Sequence, residues 1–189
     1  MCAQCCGCSD RIAFTAKLHR VSDTLLHGVL VPTTNDQRLT TGPDELWMEE
    51  ALRAAQRALE AGEVPVGAIV VCDGKIVARG WNRNITDNDP TAHAEIVALR
   101  EAGAIIGNHR LENCDLFATI EPCPMCAGAM VHARIKRLVY GADDPKAGAV
   151  QSVMQVLNHP QLNHKVEVRS GVLAGRCAEL LQSFFKNRR

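Results

Sequence analysis

The sequence predicts an α/β fold, a three-layer α/β/α sandwich around a five-stranded mixed sheet. Three observations carry that expectation. From residue 44 onward, short β-branched runs alternate with segments of helical apolar periodicity. An Asp73-Gly74 pair joins the first two such runs, as a tight hairpin requires. Two motifs rich in His, Glu and Cys each fall where a loop or strand gives way to a helix, so their helix starts can meet at one point.

In chain order, Pro43-Asp44-Glu45 is a helix start, with proline in the first turn and acids near the positive end of the dipole. Met48, Ala51, Leu52, Ala55, Ala58 and Leu59 then recur at helical spacing up to Gly62. Val66–Cys72 is a strand and Lys75–Gly80 its return. Trp81-Asn82-Arg83-Asn84 opens a polar loop, and Asp89-Pro90-Thr91 signals a second helix ending near Gly103. Asp115–Ile120 reads as a third strand running into Glu121-Pro122-Cys123, and a helix follows to Ala133. Arg137–Tyr140 is a fourth strand, 141–148 a polar loop and Val150–Leu157 a short helix. Lys165–Arg169 alternates as a half-exposed strand, and Ala174–Arg188 closes the chain as a helix.

Residues 1–43 lack this periodicity and read as an N-terminal extension, disordered or misannotated, ahead of a domain over 44–189. The extension carries Cys2, Cys5, Cys6 and Cys8, spaced too tightly for a zinc ribbon. Of 189 residues 47% are hydrophobic but only 4% aromatic, so aliphatic side chains must fill the core. No apolar run is long enough to span a bilayer, and no signal-peptide pattern opens the chain. Nine cysteines, an odd number, argue against a secreted disulfide framework and for a reducing cytoplasm. Lysine plus arginine and aspartate plus glutamate number 21 each, so any polyanion must be met by a local patch.

The chemistry sits in His93-Ala94-Glu95 and Pro122-Cys123-Pro124-Met125-Cys126. Cysteines three apart at a helix start share a face, and the helix dipole favours their thiolates. His93, Cys123 and Cys126 offer three ligands, one short of a closed tetrahedron, as in catalytic rather than structural zinc sites. Two thiolates and a neutral imidazole neutralise Zn²⁺, which still makes water acidic near a pKa of roughly 7. Glu95 suits the proton shuttle better than a fourth ligand. Alone, Cys-x-x-Cys also fits redox or structural zinc sites. The order H-x-E…P-C-x-x-C is the signature of zinc nucleobase deaminases.

From Asp44 to Arg189 the chain resembles the bacterial tRNA-specific adenosine deaminases of the cytidine-deaminase-like superfamily. The runs that carry the resemblance are EVPVGAIVV, GWNRN, DPTAHAEIVALREA, EPCPMCAGAMVHARIKRLVYGA, DPKAGA, LNHKVEV and LLQSFF. The resemblance implies a cytidine-deaminase-like fold and a hydrolase acting on a cyclic amidine C–N bond. It implies that a zinc-activated hydroxide, one Zn²⁺ per subunit, converts wobble adenosine of a tRNA anticodon to inosine. The RNA partner would be the anticodon stem-loop of an arginine tRNA, and the protein a cytoplasmic homodimer. Asn82, Ala94, Asp144, Lys146 and Phe185 fall at substrate-binding positions of the family. Of the adjacent Phe184 and Phe185, one is expected to face inward.

The basic residues Arg134, Lys136, Arg137, Lys186, Arg188 and Arg189 are candidate phosphate contacts. Cys72, Cys114 and Cys177 read as buried apolar side chains. Two rival readings stand beside the RNA enzyme. One is a deaminase of a free base or nucleoside of the guanine or cytosine type. The other is a non-catalytic zinc module serving RNA binding or scaffolding, against which an intact Glu95 argues.

Overall fold

The computed structural model describes residues 42–188; Cys2, Cys5, Cys6 and Cys8 lie outside them, with the rest of the expected extension up to Thr41. The described elements are α1 (Pro43–Glu60), β1 (Gly67–Cys72), β2 (Lys75–Trp81), α2 (Ala94–Ile106), β3 (Cys114–Ile120), α3 (Pro124–Ala133), β4 (Arg137–Ala142), β5 (Glu167–Arg169) and α4 (Ala174–Lys186). The five strands lie in the order β2-β1-β3-β4-β5. β1 is antiparallel to both β2 and β3, whereas β3, β4 and β5 run parallel. The mixed sheet of the sequence reading is present.

Side chains alternate between the two faces of the sheet. Ile69, Val71, Phe117 and Val139 pack with Met48 and Ala51 of α1 and Cys177 of α4. Their neighbours Val70, Leu116, Leu138 and Tyr140 pack on the opposite face with Ala98 of α2 and Met130 of α3. Two helices thus cover each face, and the three layers follow. Burying an aliphatic or phenyl side chain this way contributes roughly 1.5–3 kcal/mol each.

The hairpin is turned by Asp73 and Gly74, at φ of 50° and 69°, and a bulge between Val70 and Val71 sharpens the strand's twist. Gly80 of β2 lets α2 approach: a Cβ there would stand 2.1 Å from the carbonyl oxygen of Ala94 and 2.6 Å from the nitrogen of Ala98. Asp44 at the start of α1 receives Arg137 of β4 in a two-pronged pair at 2.9 and 3.0 Å, and also Arg169 of β5.

Three expectations need correction. The second helix begins at Ala94, not at Pro90, because Asp89 Oδ1 accepts both the N–H and the hydroxyl of Thr91 at 2.7 Å and closes a turn instead. Val150–Leu157 is not helical, because the N–H groups of Val150, Gln151 and Ser152 all donate to the Glu121 carboxylate. Arg137 is no free phosphate contact, since Asp44 and Asp115 occupy its guanidinium. Among the described residues no helix is long and apolar enough to cross a membrane.

Candidate active site

Since β1 is antiparallel to both β2 and β3, those two strands run the same way and end at the same edge of the sheet. α2 and α3 both start from that edge, which brings together motifs 30 residues apart. His93 occupies the cap position of α2 and Cys123 that of α3. Cys126 lies one turn inside α3 and is fully buried.

His93 Nδ1 lies 3.6 Å from Cys123 Sγ and 3.7 Å from Cys126 Sγ, and one donor atom from each of the three residues falls within 4.8 Å of the others. A tetrahedral zinc with Zn–S of about 2.3 Å and Zn–N of about 2.0 Å spaces nitrogen and sulfur roughly 3.6 Å apart. The donor set therefore fits a zinc ion in both chemistry and spacing, with the fourth position left for a small ligand.

Cys123 is pulled down to about 4, chiefly by the Cys126 thiol hydrogen bond, against burial and with help from His93. Cys126 is driven up by the same bond and by burial. His93 is raised by its bond to Cys123, against burial. Glu95, 2% exposed, is pushed above the usual carboxylate range by burial, against its own backbone N–H and His93. A carboxyl poised in this way can take and return a proton.

A cavity of about 850 Å³ is lined by His93 and Cys123 of the cluster together with Glu95, Asn82, Asp144, Lys146 and Phe185. Val64, Val66, Ile120 and Leu181 supply its apolar sides. Asn82 is buried, and its Oδ1 accepts the N–H of Ala94 at 2.9 Å. Ala94 itself is fully buried behind the wall. Asp144 Oδ1 is taken by the N–H groups of Lys146 and Ala147 at 2.9 and 3.2 Å, which shapes the loop.

Phe184 points inward at 7% exposure while Phe185 is half exposed at the cavity, edge-on to it at 5.3 Å. Lys186 joins Lys146 on the cavity wall. Arg188 instead donates to the Gly62 carbonyl at 2.7 Å and lies 4.2 Å over the Phe184 ring.

Two buried acids escaped the sequence reading. Glu121 accepts five hydrogen bonds from the 144–152 segment. Burial alone would raise it, yet these bonds bring it down to about 2. Glu63 Oε1 accepts the N–H groups of Ile85 and Thr86 and the Thr86 hydroxyl, holding the loop after β2. A clue was present for Glu121: an acid directly after an apolar strand needs donors from elsewhere in the chain.

The chain matches the family model of the cytidine and deoxycytidylate deaminase zinc-binding region over residues 41–142. It is 51% identical over 147 residues to the tRNA-specific adenosine deaminase of Haemophilus influenzae, covering 77% of this chain and 85% of that one. With the tRNA-specific adenosine deaminase of Bacillus subtilis it shares 46% over 146 residues, covering 77% and 91%. A solved structure from work on A-to-I editing by tRNA:A34 deaminases at the wobble position superposes with a TM-score of 0.70 at 48% identity, covering 72% of this chain and 99% of that one. Guanine deaminase from Nitrosomonas europaea superposes at 0.63 with 27% identity, covering 85% and 96%.

Proposed function

The chain belongs to the tRNA-specific adenosine deaminases, within the cytidine and deoxycytidylate deaminase family, and we infer from this that it hydrolyses adenosine to inosine at the wobble position of a tRNA anticodon, releasing ammonia. The observation that carries the reading is a buried Glu95 beside a three-donor cluster, with Glu95, His93 and Cys123 lining a cavity that has room for a nucleoside.

His93, Cys123 and Cys126 would hold the zinc, one per subunit. When bound, zinc supplies the Lewis acidity by which water becomes a nucleophile near neutral pH. Glu95 takes the proton of the water that adds to C6 of adenine and delivers it to the adjacent ring nitrogen. It then relays the proton of the new C6 hydroxyl to the exocyclic amine, the C6–N bond breaks as the C6 carbonyl forms, and ammonia leaves the inosine ring.

Asn82 has its Oδ1 committed to Ala94, so its Nδ2 is the group available to the nucleoside. Asp144, through its second oxygen, accepts from a base or ribose hydroxyl. Phe185 stacks on an unpaired neighbour of the flipped base, and Lys146 and Lys186 meet phosphate. Extruding a base costs on the order of a few kcal/mol, and less in an anticodon loop than in a duplex. The proposed partner is the anticodon stem-loop of an arginine tRNA. The proposed assembly is a cytoplasmic homodimer whose second subunit completes the RNA site.

The test is to offer zinc-loaded protein that stem-loop beside free adenosine, guanine and cytosine, with products identified by mass spectrometry. Inosine in the RNA with the free compounds untouched is expected. Turnover of a free base with silence on the RNA would favour the guanine-deaminase alternative, which the lower-identity structural likeness keeps in view.

A further inference from the structure

We infer that Glu121 is a positioning residue: its buried carboxylate holds the 143–152 segment so that Asp144 and Lys146 stand where substrate enters. The inference rests on the deaminase reading above for its kinetic half and on geometry for its structural half.

Glu121 is 1% exposed and leaves the sheet directly after β3, where its N–H donates to the Ala142 carbonyl at 2.8 Å. Oε1 accepts three consecutive backbone N–H groups, from Val150 at 3.0 Å, Gln151 at 2.8 Å and Ser152 at 3.0 Å. Oε2 accepts the Asp144 N–H at 3.1 Å and the Ser152 hydroxyl. One side chain thus gathers both ends of a segment that has no helix or strand to order it. A buried carboxylate is costly unless its lone pairs are met, and here both oxygens are served from one loop.

Two further contacts belong to the same device. Gly148 has no side chain where the carboxylate lies; a Cβ there would stand 2.3 Å from Oε2 and 2.6 Å from the Asp144 carbonyl oxygen. Ala149 N–H donates to the Pro122 carbonyl at 2.9 Å, so the segment is pinned one residue from Cys123. The loop bearing Cys123 and the wall bearing Asp144 and Lys146 are therefore registered through Glu121. Loosening it should displace the wall while leaving His93, Glu95 and the thiols in place.

The experiment compares full-length zinc-loaded wild type, Glu121→Gln and the milder Ser152→Ala by hydrogen–deuterium exchange, zinc content and stem-loop kinetics. In E121Q, exchange over 143–152 should rise about tenfold or more while 94–106 is unchanged, as expected for a local opening. Zinc should be retained, KM should rise about tenfold and kcat should stay within about twofold, the signature of lost substrate positioning. S152A should move in the same direction by less, and it carries the test if E121Q does not fold. Unchanged exchange over 143–152, or a fall in kcat at constant KM, overturns the inference. An inactive wild type whose E121Q variant still loosens 143–152 overturns the substrate reading instead and leaves the positioning role standing.

Discussion

Asn82 Oδ1 accepts the N–H of Ala94 at 2.9 Å, and Ala94 is the first residue of the helix capped by His93. The loop that ends β2 thereby fixes the start of the helix that aims His93 Nδ1 at the two thiols. Asn82 therefore serves the architecture of the centre, beside the substrate contact proposed for it. Asn82→Ala leaves a buried N–H without an acceptor, which costs about 1–3 kcal/mol. Chemical denaturation should show that loss, accompanied by reduced turnover. An unchanged unfolding midpoint would contradict the role.

Glu95 is proposed to transfer protons and not to bind the metal. Glu95→Gln should keep a full complement of zinc while kcat falls by about 10²–10⁴. Zinc content measured alongside turnover decides it, since metal loss in this variant would make Glu95 a ligand.

The three-ligand cluster couples metal to fold, because the thiolates and imidazole are drawn together only in the native state. A chelator should lower the melting temperature by on the order of 5–10 °C, recovered on adding zinc. Cys123→Ala should melt low from the outset and show no response to either treatment. A chelator-insensitive wild type would contradict the site.

Glu63 makes acid stability a readout of the loop after β2. Burial would raise its carboxyl, but the Thr86 and Ile85 N–H groups, the Thr86 hydroxyl and Arg188 hold it below the ordinary value of 4.5. A carboxyl depressed in the folded state contributes stability above its unfolded pKa and loses it as pH falls through the folded one. Urea unfolding followed from neutral pH to below the ordinary value of 4.5 should therefore decline more steeply at the acid end for wild type than for Glu63→Gln. At neutral pH the variant should be the less stable. Parallel curves would show that these bonds do not favour the ionised form.

The sheet and its helices were legible because each rests on a local signal. Met48, Ala51, Ala55 and Ala58 fall on one helical face and are buried there. The alternation through β3 separates Leu116 from Phe117 into the two cores. The grouping of His93, Cys123 and Cys126 was legible because residue type and spacing express the chemistry of a metal-binding set. Two of the failures share one cause, which is competition by side chains from outside the window being read. Val150–Leu157 has apolar content suited to a helix, but Glu121, some 30 residues earlier, takes its leading N–H groups. Arg137 reads as a free cation until α1 brings Asp44 to it from 93 residues away. Asp89 shows that a helix-start signal can be spent on its own turn.

The reaction of this site is the addition of water to adenine C6 in a tRNA wobble nucleoside. The most direct measurement runs the stem-loop reaction in oxygen-18 water with wild type and Glu95→Gln, then weighs the digested nucleosides. Water addition at C6 through Glu95 requires wobble inosine carrying one oxygen-18 from wild type and almost none from the variant. Unmodified RNA from zinc-loaded wild type, or inosine formed at equal rate without Glu95, would contradict it.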